Sequence, residues 1–297
     1  MTWFHRRGEL ANGSWETVVE PDGRVWHHTG LRVANLKDEE HVSIGPDSQE
    51  RIIVPLAGSF RVTGVADGRE FDHVLRGRSR STAGPTDTLY VPIESTITVS
   101  GRGRVAVAEA TATNVYPLHY LAAEDVAVEL RGRGNATRQV HNFGTPGERE
   151  ANQLIACEVL TPSGNWSSYP PHRHDEYRPE HESELEEIYL FDVQVSPALD
   201  DVAGLTDPIG YFRNYGTSDR PIDTLVEVRP GDVALVPHGW HGPAMATHGY
   251  DLYYLNVMAG PGPERAWNIV DDPLHAPVKQ AWSDMEPDPR LPYQTKE

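Results

Sequence analysis

The chain has 297 residues, and its 26 basic and 44 acidic side chains give a formal net charge of −18 at pH 7. This excess of acids disfavours nucleic acids as partners, because their phosphates would be repelled. No stretch approaches the roughly 20 apolar residues that a membrane-spanning helix needs, and the N-terminus lacks the apolar core of a secretory signal. A single cysteine, Cys157, excludes an internal disulfide. We therefore expect a cytoplasmic protein with neither a membrane nor a nucleic-acid partner.

Short apolar segments rich in Val, Ile, Leu and Tyr recur along the chain, each bounded by Gly, Pro, Asp or Asn. Their length, β-branched content and flanking turn residues predict strands. With 26 glycines and 24 prolines in the chain, this pattern favours a mostly-β fold with many turns. One segment, 117–130, is a weak helical candidate. In chain order the clearest predicted strands are 51–56, 88–91, 97–99, 104–108, 187–193, 225–228, 233–236 and 251–258.

Two segments of the chain resemble each other. Asp87-Thr-Leu-Tyr-Val-Pro92 and Asp232-Val-Ala-Leu-Val-Pro237 agree at three positions, and each is followed by a polar corner and another apolar strand. Their offset of 145 residues is too long for a solenoid repeat and favours two copies of one β-domain. The turn formers concentrated in 131–137 predict the link. We expect an N-terminal domain at 1–132 and a C-terminal domain at 138–297.

Side chains that bind metals are densest in the second half. The segment 166–176 reads Trp-Ser-Ser-Tyr-Pro-Pro-His-Arg-His-Asp-Glu, and in an extended strand His172 and His174 would share one face. Two neutral imidazoles side by side suit a divalent metal such as Zn, Cu, Fe or Ni. Further along, the segment 231–241 gives a strand, a Pro/Gly corner and a third histidine, His241.

An acidic segment follows the His-x-His pair and leaves several glutamates as candidates for another ligand. Where the next strand begins, Glu187, Tyr189 and Phe191 share one face, and Glu186, Ile188 and Leu190 share the other. The glutamates between 176 and 184, with His181 among them, fit a solvated charged loop better. The candidates are Glu176, Glu180, Glu182, Glu184, Glu186 and Glu187.

The order of these parts resembles the cupin pattern, in which a His-x-His pair, a glutamate entering a strand and a Gly/Pro corner ending in a histidine surround a metal. The resemblance implies a bicupin made of two double-stranded β-helix domains. It also implies one divalent metal ion, zinc or manganese, on His172, His174, Glu187 and His241. Glu187 is selected because the family places its glutamate directly before an Ile/Val-Tyr pair. The chain departs from the general motif by its acidic insertion before Glu187 and by slightly different spacings at both histidine segments.

A narrower resemblance runs through most of the chain. The segments 165–176, 185–189, 236–241 and 253–260 together resemble the 5-deoxy-glucuronate isomerases, the bicupin enzymes of bacterial inositol catabolism. This resemblance implies an aldose–ketose isomerase that converts 5-deoxy-D-glucuronate to 5-dehydro-2-deoxy-D-gluconate. Its small-molecule partner would be a sugar acid. The first half lacks the ligand set and would act as a scaffold or an oligomer contact, so a homo-oligomer is left open.

Such a reaction requires a general base and a cation that binds the substrate carboxylate. His238, Tyr215 and Tyr253 are candidates for the base, although a packing or supporting role explains each of them better. Arg213 and Arg265 are candidates for the carboxylate, since a guanidinium can bind it through two donors. Two alternative functions stay open, a cupin dioxygenase with the same ligands and a non-catalytic sugar-binding bicupin. Turnover without oxygen would exclude the first, and a complete ligand set disfavours the second.

Overall fold

The computed structural model describes residues 2–199 and 202–293. Strands dominate these residues, and the helices among them are short 3-10 turns, so the mostly-β prediction is confirmed. No helix in the described part is long and apolar enough to cross a membrane. The 3-10 turns are Ala123–Asp125, Gly134–Ala136, Pro197–Leu199 and Ala276–Asp284.

The strands of the first half of the chain are β1 (Phe4–His5), β2 (Thr17–Val19), β3 (Thr29–Leu36), β4 (His41–Ile44), β5 (Gln49–Ala66), β6 (Arg69–Arg78), β7 (Thr88–Val91), β8 (Thr96–Thr111), β9 (His119–Leu121) and β10 (Ala127–Arg131). Those of the second half are β11 (Arg138–Gly144), β12 (Ile155–Thr161), β13 (Trp166–Ser167), β14 (His172–Arg173), β15 (Asp175–Arg178), β16 (Glu182–Glu184), β17 (Glu186–Val195), β18 (Gly210–Tyr215), β19 (Asp223–Val228), β20 (Val233–Val236), β21 (Trp240–Ala246), β22 (Tyr250–Ala259) and β23 (Val270–Asp271).

Every segment predicted as a strand lies within an observed strand, and two of them coincide with β7 and β20. The helical candidate 117–130 is wrong, because these residues form β9, a 3-10 turn and β10. In β10 the residues pair in register with β11 from Ala127 opposite Asn142 to Arg131 opposite Arg138. Pairing with a neighbouring strand thus overrides the weak helical preference of an alanine-containing segment.

The strands form one large sheet in the first half and two packed sheets in the second. The first sheet has the order β2-β3-β8-β5-β7-β9, with β4 added on β8 and β6 on β5. The second half has a seven-stranded sheet, β1-β20-β17-β22-β12-β11-β10, and a six-stranded one that contains β19-β18-β21-β14-β23 and β13. Since β1 and β10 belong to the seven-stranded sheet, the predicted division at 132 does not coincide with the hydrogen-bonded sheets.

The seven-stranded sheet is buried on both faces, and strand alternation decides what each side chain contacts. On one face, Ile188 and Tyr253 pack in a core shared with the first half. On the other face, Tyr189 and Tyr254 pack towards the six-stranded sheet, against residues such as Phe212. The site described below lies on this second face, between the two sheets of the second half.

Candidate metal centre

Three histidines meet between these sheets. His172 on β14 lies directly opposite His241 on β21, and His174 follows His172 by two positions. All three side chains are buried, and one nitrogen from each lies within 4.8 Å of the others. In residues 2–199 and 202–293, this is the one group of three or more His, Cys, Asp or Glu side chains close enough to hold a metal ion.

Glu187 approaches the histidines from β17 in the facing sheet. Its Oε2 atom lies 3.0 Å from Nε2 of His174 and 3.0 Å from Nε2 of His241. Burial alone would raise the pKa of Glu187, but contacts with these two imidazoles hold it well below its usual range. The neighbouring Glu186 points away, and its carboxylate accepts the backbone N–H groups of His27 and His28 at 2.7 and 2.8 Å. The cluster therefore contains one ionised carboxylate.

Backbone carbonyls orient two of the three imidazoles. Nδ1 of His174 lies 3.3 Å from the carbonyl oxygen of Leu185, and Nδ1 of His241 lies 3.2 Å from that of Gly239. Because a carbonyl oxygen only accepts, Nδ1 must be the donor in each contact. In the neutral ring the Nε2 atom then carries the lone pair. Both Nε2 atoms lie 3.0 Å from Oε2 of Glu187.

This arrangement fits a cation. The Nε2 atoms of His174 and His241 converge on the carboxylate of Glu187, and Nε2 of His174 makes a hydrogen bond of 3.0 Å with it. Nε2 of His241 is buried and has no hydrogen-bond partner within the described residues, because its 3.0 Å approach to Glu187 is not aligned for a hydrogen bond. Burial and the two neighbouring imidazoles lower the pKa of His172 well below its usual value, which favours its neutral, metal-binding form. The three histidines could therefore hold a divalent metal ion.

A cavity of about 500 Å³ adjoins the cluster and includes His172 and Glu187 in its wall. This volume is within the range of small-molecule binding sites. Its floor is formed by side chains of the seven-stranded sheet, and segments beyond β22 close one side. The other polar or aromatic residues of its wall are Glu129, Arg131, Arg138, Ser168, Tyr169, Tyr189, Tyr254, Asn256, Trp267, Asp271, Lys279 and Trp282.

Hydroxyl and amide groups lie on the floor of the cavity. Oγ of Ser168 is 3.2 Å from the hydroxyl of Tyr189 and 3.1 Å from that of Tyr254. Burial raises the pKa of Tyr254 to about 12, so its hydroxyl stays protonated at neutral pH. Nδ2 of Asn256 is buried without a hydrogen-bond partner among the described residues. The floor thus offers donors that a polar ligand can use.

Neither predicted carboxylate-binding arginine lines this cavity. Arg213 is exposed on β18, and its guanidinium lies 4.5 Å from the ring centroid of Tyr215. The buried residues Phe212 and Asn214 on either side occupy the inward positions, so alternation turns Arg213 outward. Arg265 donates to the carbonyl oxygens of Gly144, Arg149 and Leu154 at 2.6–2.8 Å. Both interpretations are therefore corrected: Arg213 is a surface residue and Arg265 anchors loops.

The three candidates for the general base also lie outside the cavity wall. His238 lines a different cavity beside His27 and His28, and burial lowers its pKa. The hydroxyl of Tyr215 donates to Asp272 at 2.5 Å. Tyr253 lies on the face of β22 that packs against the first half, where its hydroxyl donates to Glu158 at 2.7 Å. Burial and the adjacent carboxylates raise the pKa values of both tyrosines. These assignments are corrected because each polar group faces another neighbour.

Tyr254 and Asn256, which do line the cavity, were missed in the sequence. Side chains alternate along a strand, so Tyr253 and Leu255 lie on one face of β22, and Tyr254 and Asn256 lie on the other. This alternation does not predict which pair faces the histidine cluster. The pairing of β22 with β17 decides this, because it places Asn256 opposite Tyr189. The strand neighbours are a long-range property that the sequence pattern alone does not contain.

The acidic insertion is more ordered than a solvated loop. Its strands β15 and β16 form a hairpin, and Glu182 is buried there at 1 % exposure. The carboxylate of Glu182 pairs with Arg173 at 3.3 Å and also with Arg178. The solvated-loop interpretation is therefore wrong for Glu182, which holds the hairpin beside His174.

Comparisons with known proteins agree with this architecture. The 5-deoxy-glucuronate isomerase of Geobacillus thermodenitrificans is 35 % identical over 265 residues, which cover 89 % of this chain and 90 % of that protein. A crystal structure of an IolB-like protein from Salmonella typhimurium has a TM-score of 0.80 and 30 % identity, and covers 94 % of this chain and 100 % of that one.

A more distant structure shares the fold alone. The oxalate decarboxylase of Lactobacillus farciminis has a TM-score of 0.56 at 10 % identity, covering 83 % of this chain and 80 % of that one. The predicted cupin fold is thereby confirmed. The sequence model of the KduI/IolB family matches residues 3–278 of this chain. The chain therefore belongs to the KduI/IolB family.

Proposed function

We propose that the chain is a metal-dependent 5-deoxy-glucuronate isomerase, which converts 5-deoxy-D-glucuronate to 5-dehydro-2-deoxy-D-gluconate in inositol catabolism. The observation that carries this proposal is the cavity whose wall includes His172 and Glu187. Relatives named 5-deoxy-glucuronate isomerase align with this chain over most of their own length. A cluster of metal-binding side chains at the end of a polar cavity suits a reaction on adjacent oxygens of a small sugar.

His172, His174, His241 and Glu187 would together hold one divalent ion, for which zinc and manganese are the best candidates. Imidazole suits zinc, and carboxylate ligands suit both ions. When bound, such an ion supplies Lewis-acid stabilisation of negative charge on the sugar oxygens. The carbonyl groups of Leu185 and Gly239 hold Nε2 of His174 and His241 in the orientation that binding requires.

The remaining groups of the site bind and orient the sugar. Aldose–ketose isomerisation removes the proton next to the aldehyde, passes through an enediol and returns a proton at the neighbouring carbon. The hydroxyl of Tyr254 remains protonated at neutral pH and can donate to an enediol oxygen. Nδ2 of Asn256 has an unused donor on the same floor. Fixed donors of this kind stabilise charge that develops during the reaction.

An anaerobic assay tests the function. Native protein loaded with Zn²⁺ or Mn²⁺ is mixed with 5-deoxy-D-glucuronate without oxygen or nicotinamide, and the products are followed by NMR. We expect the ketose to appear, and in heavy water we expect deuterium in the product, because a base exchanges its proton with solvent. A protein that gives no ketose under any metal loading, but consumes oxygen with a sugar substrate, would contradict the proposal and favour a dioxygenase.

A further inference from the structure

Two arginines face each other at the edge of the cavity. Arg131 on β10 and Arg138 on β11 are direct partners across the antiparallel pair, and both line the cavity that contains His172. Like charges directly opposite each other destabilise a sheet. The two guanidinium groups therefore need compensating partners.

Arg131 has such partners within the chain. Its Nε atom donates to the carboxylate of Glu129 at 2.8 Å, and its guanidinium lies 5.0 Å from the ring centroid of Trp267. The lysine of the cavity wall is compensated too, since Nζ of Lys279 lies 2.5 Å from Oδ2 of Asp271. The charges of these two cations are already balanced.

Within the described residues, Arg138 has no comparable partner. Its Nη1 atom makes only long contacts with the carbonyl oxygens of Ala136 and Tyr169, at 3.4 and 3.5 Å. Nε and Nη2 donate to no protein group in the described residues, and Arg138 forms no salt bridge there. Burial lowers the pKa of Arg138, which means that its surroundings penalise the charge. Arg138 is half-buried, and a partly desolvated cation that lacks a counterion favours a ligand that supplies one.

We propose that Arg138 is the specificity residue that binds the carboxylate of the sugar acid, through the unused donors on Nε and Nη2. This proposal rests on the function proposed above. A guanidinium presents these two donors in a plane and can bind both oxygens of a carboxylate at once. The carboxylates of Glu129 and Asp271 in the wall are paired with Arg131 and Lys279, so Arg138 is the cation of the described wall that is left to bind the substrate carboxylate.

The position of Arg138 in the cavity agrees with this assignment. Arg138 lines the same cavity as His172 and Glu187 of the histidine cluster. A carboxylate bound to Arg138 would place the rest of a short sugar chain between the guanidinium and the cluster.

A pair of matched probes tests the role of Arg138. D-glucuronate carries the carboxylate, and D-glucuronamide replaces it with a neutral amide of nearly the same shape. Binding of each to metal-loaded native protein, Arg138→Met, Arg138→Lys and Arg131→Met is measured by calorimetry. Circular dichroism verifies folding, and metal analysis verifies that each variant retains the same metal content. Arg131→Met is the matched control, because this arginine lies directly opposite but is already paired with Glu129.

We expect native protein to prefer glucuronate over the amide by roughly 30-fold or more, the usual effect of a desolvated charge pair. Arg138→Met should abolish this preference and leave binding of the amide unchanged. Arg138→Lys should retain part of it, and Arg131→Met nearly all of it. With 5-deoxy-D-glucuronate as substrate, Arg138→Met should raise KM more than it lowers kcat.

Two results would overturn the role of Arg138. One is a native protein with no preference between the probes, and the other is an Arg138→Met variant that keeps the native preference. Failure of the proposed function is a separate result. A native protein that does not isomerise 5-deoxy-D-glucuronate, yet loses its preference for glucuronate only when Arg138 is replaced, would support Arg138 and refute the isomerase.

Discussion

The two halves of the chain carry side chains of opposite charge at the same position of two paired β-strands. β7 and β20 correspond at an offset of 145 residues, and each pairs with a longer strand. In the first half Val91 lies opposite Arg51 on β5, and in the second half Val236 lies opposite Glu187 on β17. The residue of the first half that matches Glu187 of the histidine cluster is therefore an arginine, Arg51.

Arg51 is paired with acids of the first half. Its side chain is fully buried, its Nε donates to Glu109 at 2.7 Å, and its Nη2 donates to Asp47 at 2.5 Å. Arg32 binds the other oxygen of Glu109 at 3.0 Å. The first half thus neutralises Glu109 with its own guanidinium groups, whereas the second half brings together imidazoles and a carboxylate that suit an external cation. The same scaffold position can hold a structural ion pair or a binding site, so the fold alone does not assign function.

The interiors of the two halves also differ in polarity. The interior of the first half is filled by aliphatic side chains and Phe60. In the second half, the corresponding space contains the histidines, tyrosine hydroxyls and the cavity. Filling an interior with apolar side chains stabilises a domain, while leaving it polar and open makes room for a ligand. We therefore expect mutations in the interior of the first half to change mainly the free energy of unfolding. Mutations in the interior of the second half should change mainly the binding of metal or ligand.

The largest effect should follow from removing the charge of Glu187. We expect Glu187→Gln to weaken binding of Zn²⁺ or Mn²⁺ by more than the ~10–100-fold that loss of an outer partner costs. The β-fold should remain, because strand packing supplies the core. Metal content after dialysis measures the effect. Glu186→Gln is the matched control, since Glu186 contacts the backbone of 27–28 instead. Retention of native metal affinity by Glu187→Gln would refute its role as a ligand.

Breaking the ion pair of the first half should affect stability instead. Arg51→Met leaves the buried Glu109 with Arg32 as its remaining guanidinium partner. We expect a loss of about 3 kcal/mol in the free energy of unfolding, the lower end for a broken buried pair. Urea denaturation measures the loss, and metal content should stay at the native value. A cost below about 1 kcal/mol, as for an exposed pair, would show that the buried pair is unimportant for stability.

The contact between the halves should be sensitive to acid. Arg78 of the first half binds both carboxylate oxygens of Glu158 in the second, at 2.7 and 2.6 Å. Burial alone would raise the pKa of Glu158, but Arg78 and His141 lower it to about 2, from 4.5 in a free side chain. The stabilisation is therefore complete above pH 4.5 and is lost as the pH falls towards 2. This difference corresponds to about 3 kcal/mol.

Thermal unfolding of native protein and Glu158→Gln across this pH range tests that linkage. We expect the variant to be less stable at neutral pH and its Tm to fall less steeply between pH 4.5 and 2. The difference between the two proteins isolates Glu158 from acids elsewhere in the chain. Parallel Tm curves for the two proteins would contradict a pKa for Glu158 that is lowered by folding.

Local patterns in the sequence were sufficient for the strands and for part of the site. The bounds of β7 and β20 follow from short apolar runs between turn residues, and the grouping of His172, His174 and His241 follows from motif order. The pocket residues required more information. Tyr253 and Tyr254 are adjacent and chemically identical, and only the packing of β22 between two cores separates their environments. Likewise, the lack of a counterion for Arg138 in the described part of the chain depends on contacts between distant segments.

The smallest effect should come from Arg213, which the sequence favoured and the structure places on the outer surface. We expect Arg213→Met to change KM for 5-deoxy-D-glucuronate by less than about twofold and the free energy of unfolding by about 1 kcal/mol or less. Its stacking on Tyr215 is exposed, and such contacts contribute only about 0.5–1 kcal/mol. Steady-state kinetics beside Arg138→Met provide the comparison. If Arg213→Met raised KM as much as Arg138→Met does, the substrate would have to extend from the cavity to the outer face of β18. The assignment of substrate binding to Arg138 and of a surface position without a binding role to Arg213 would then be wrong.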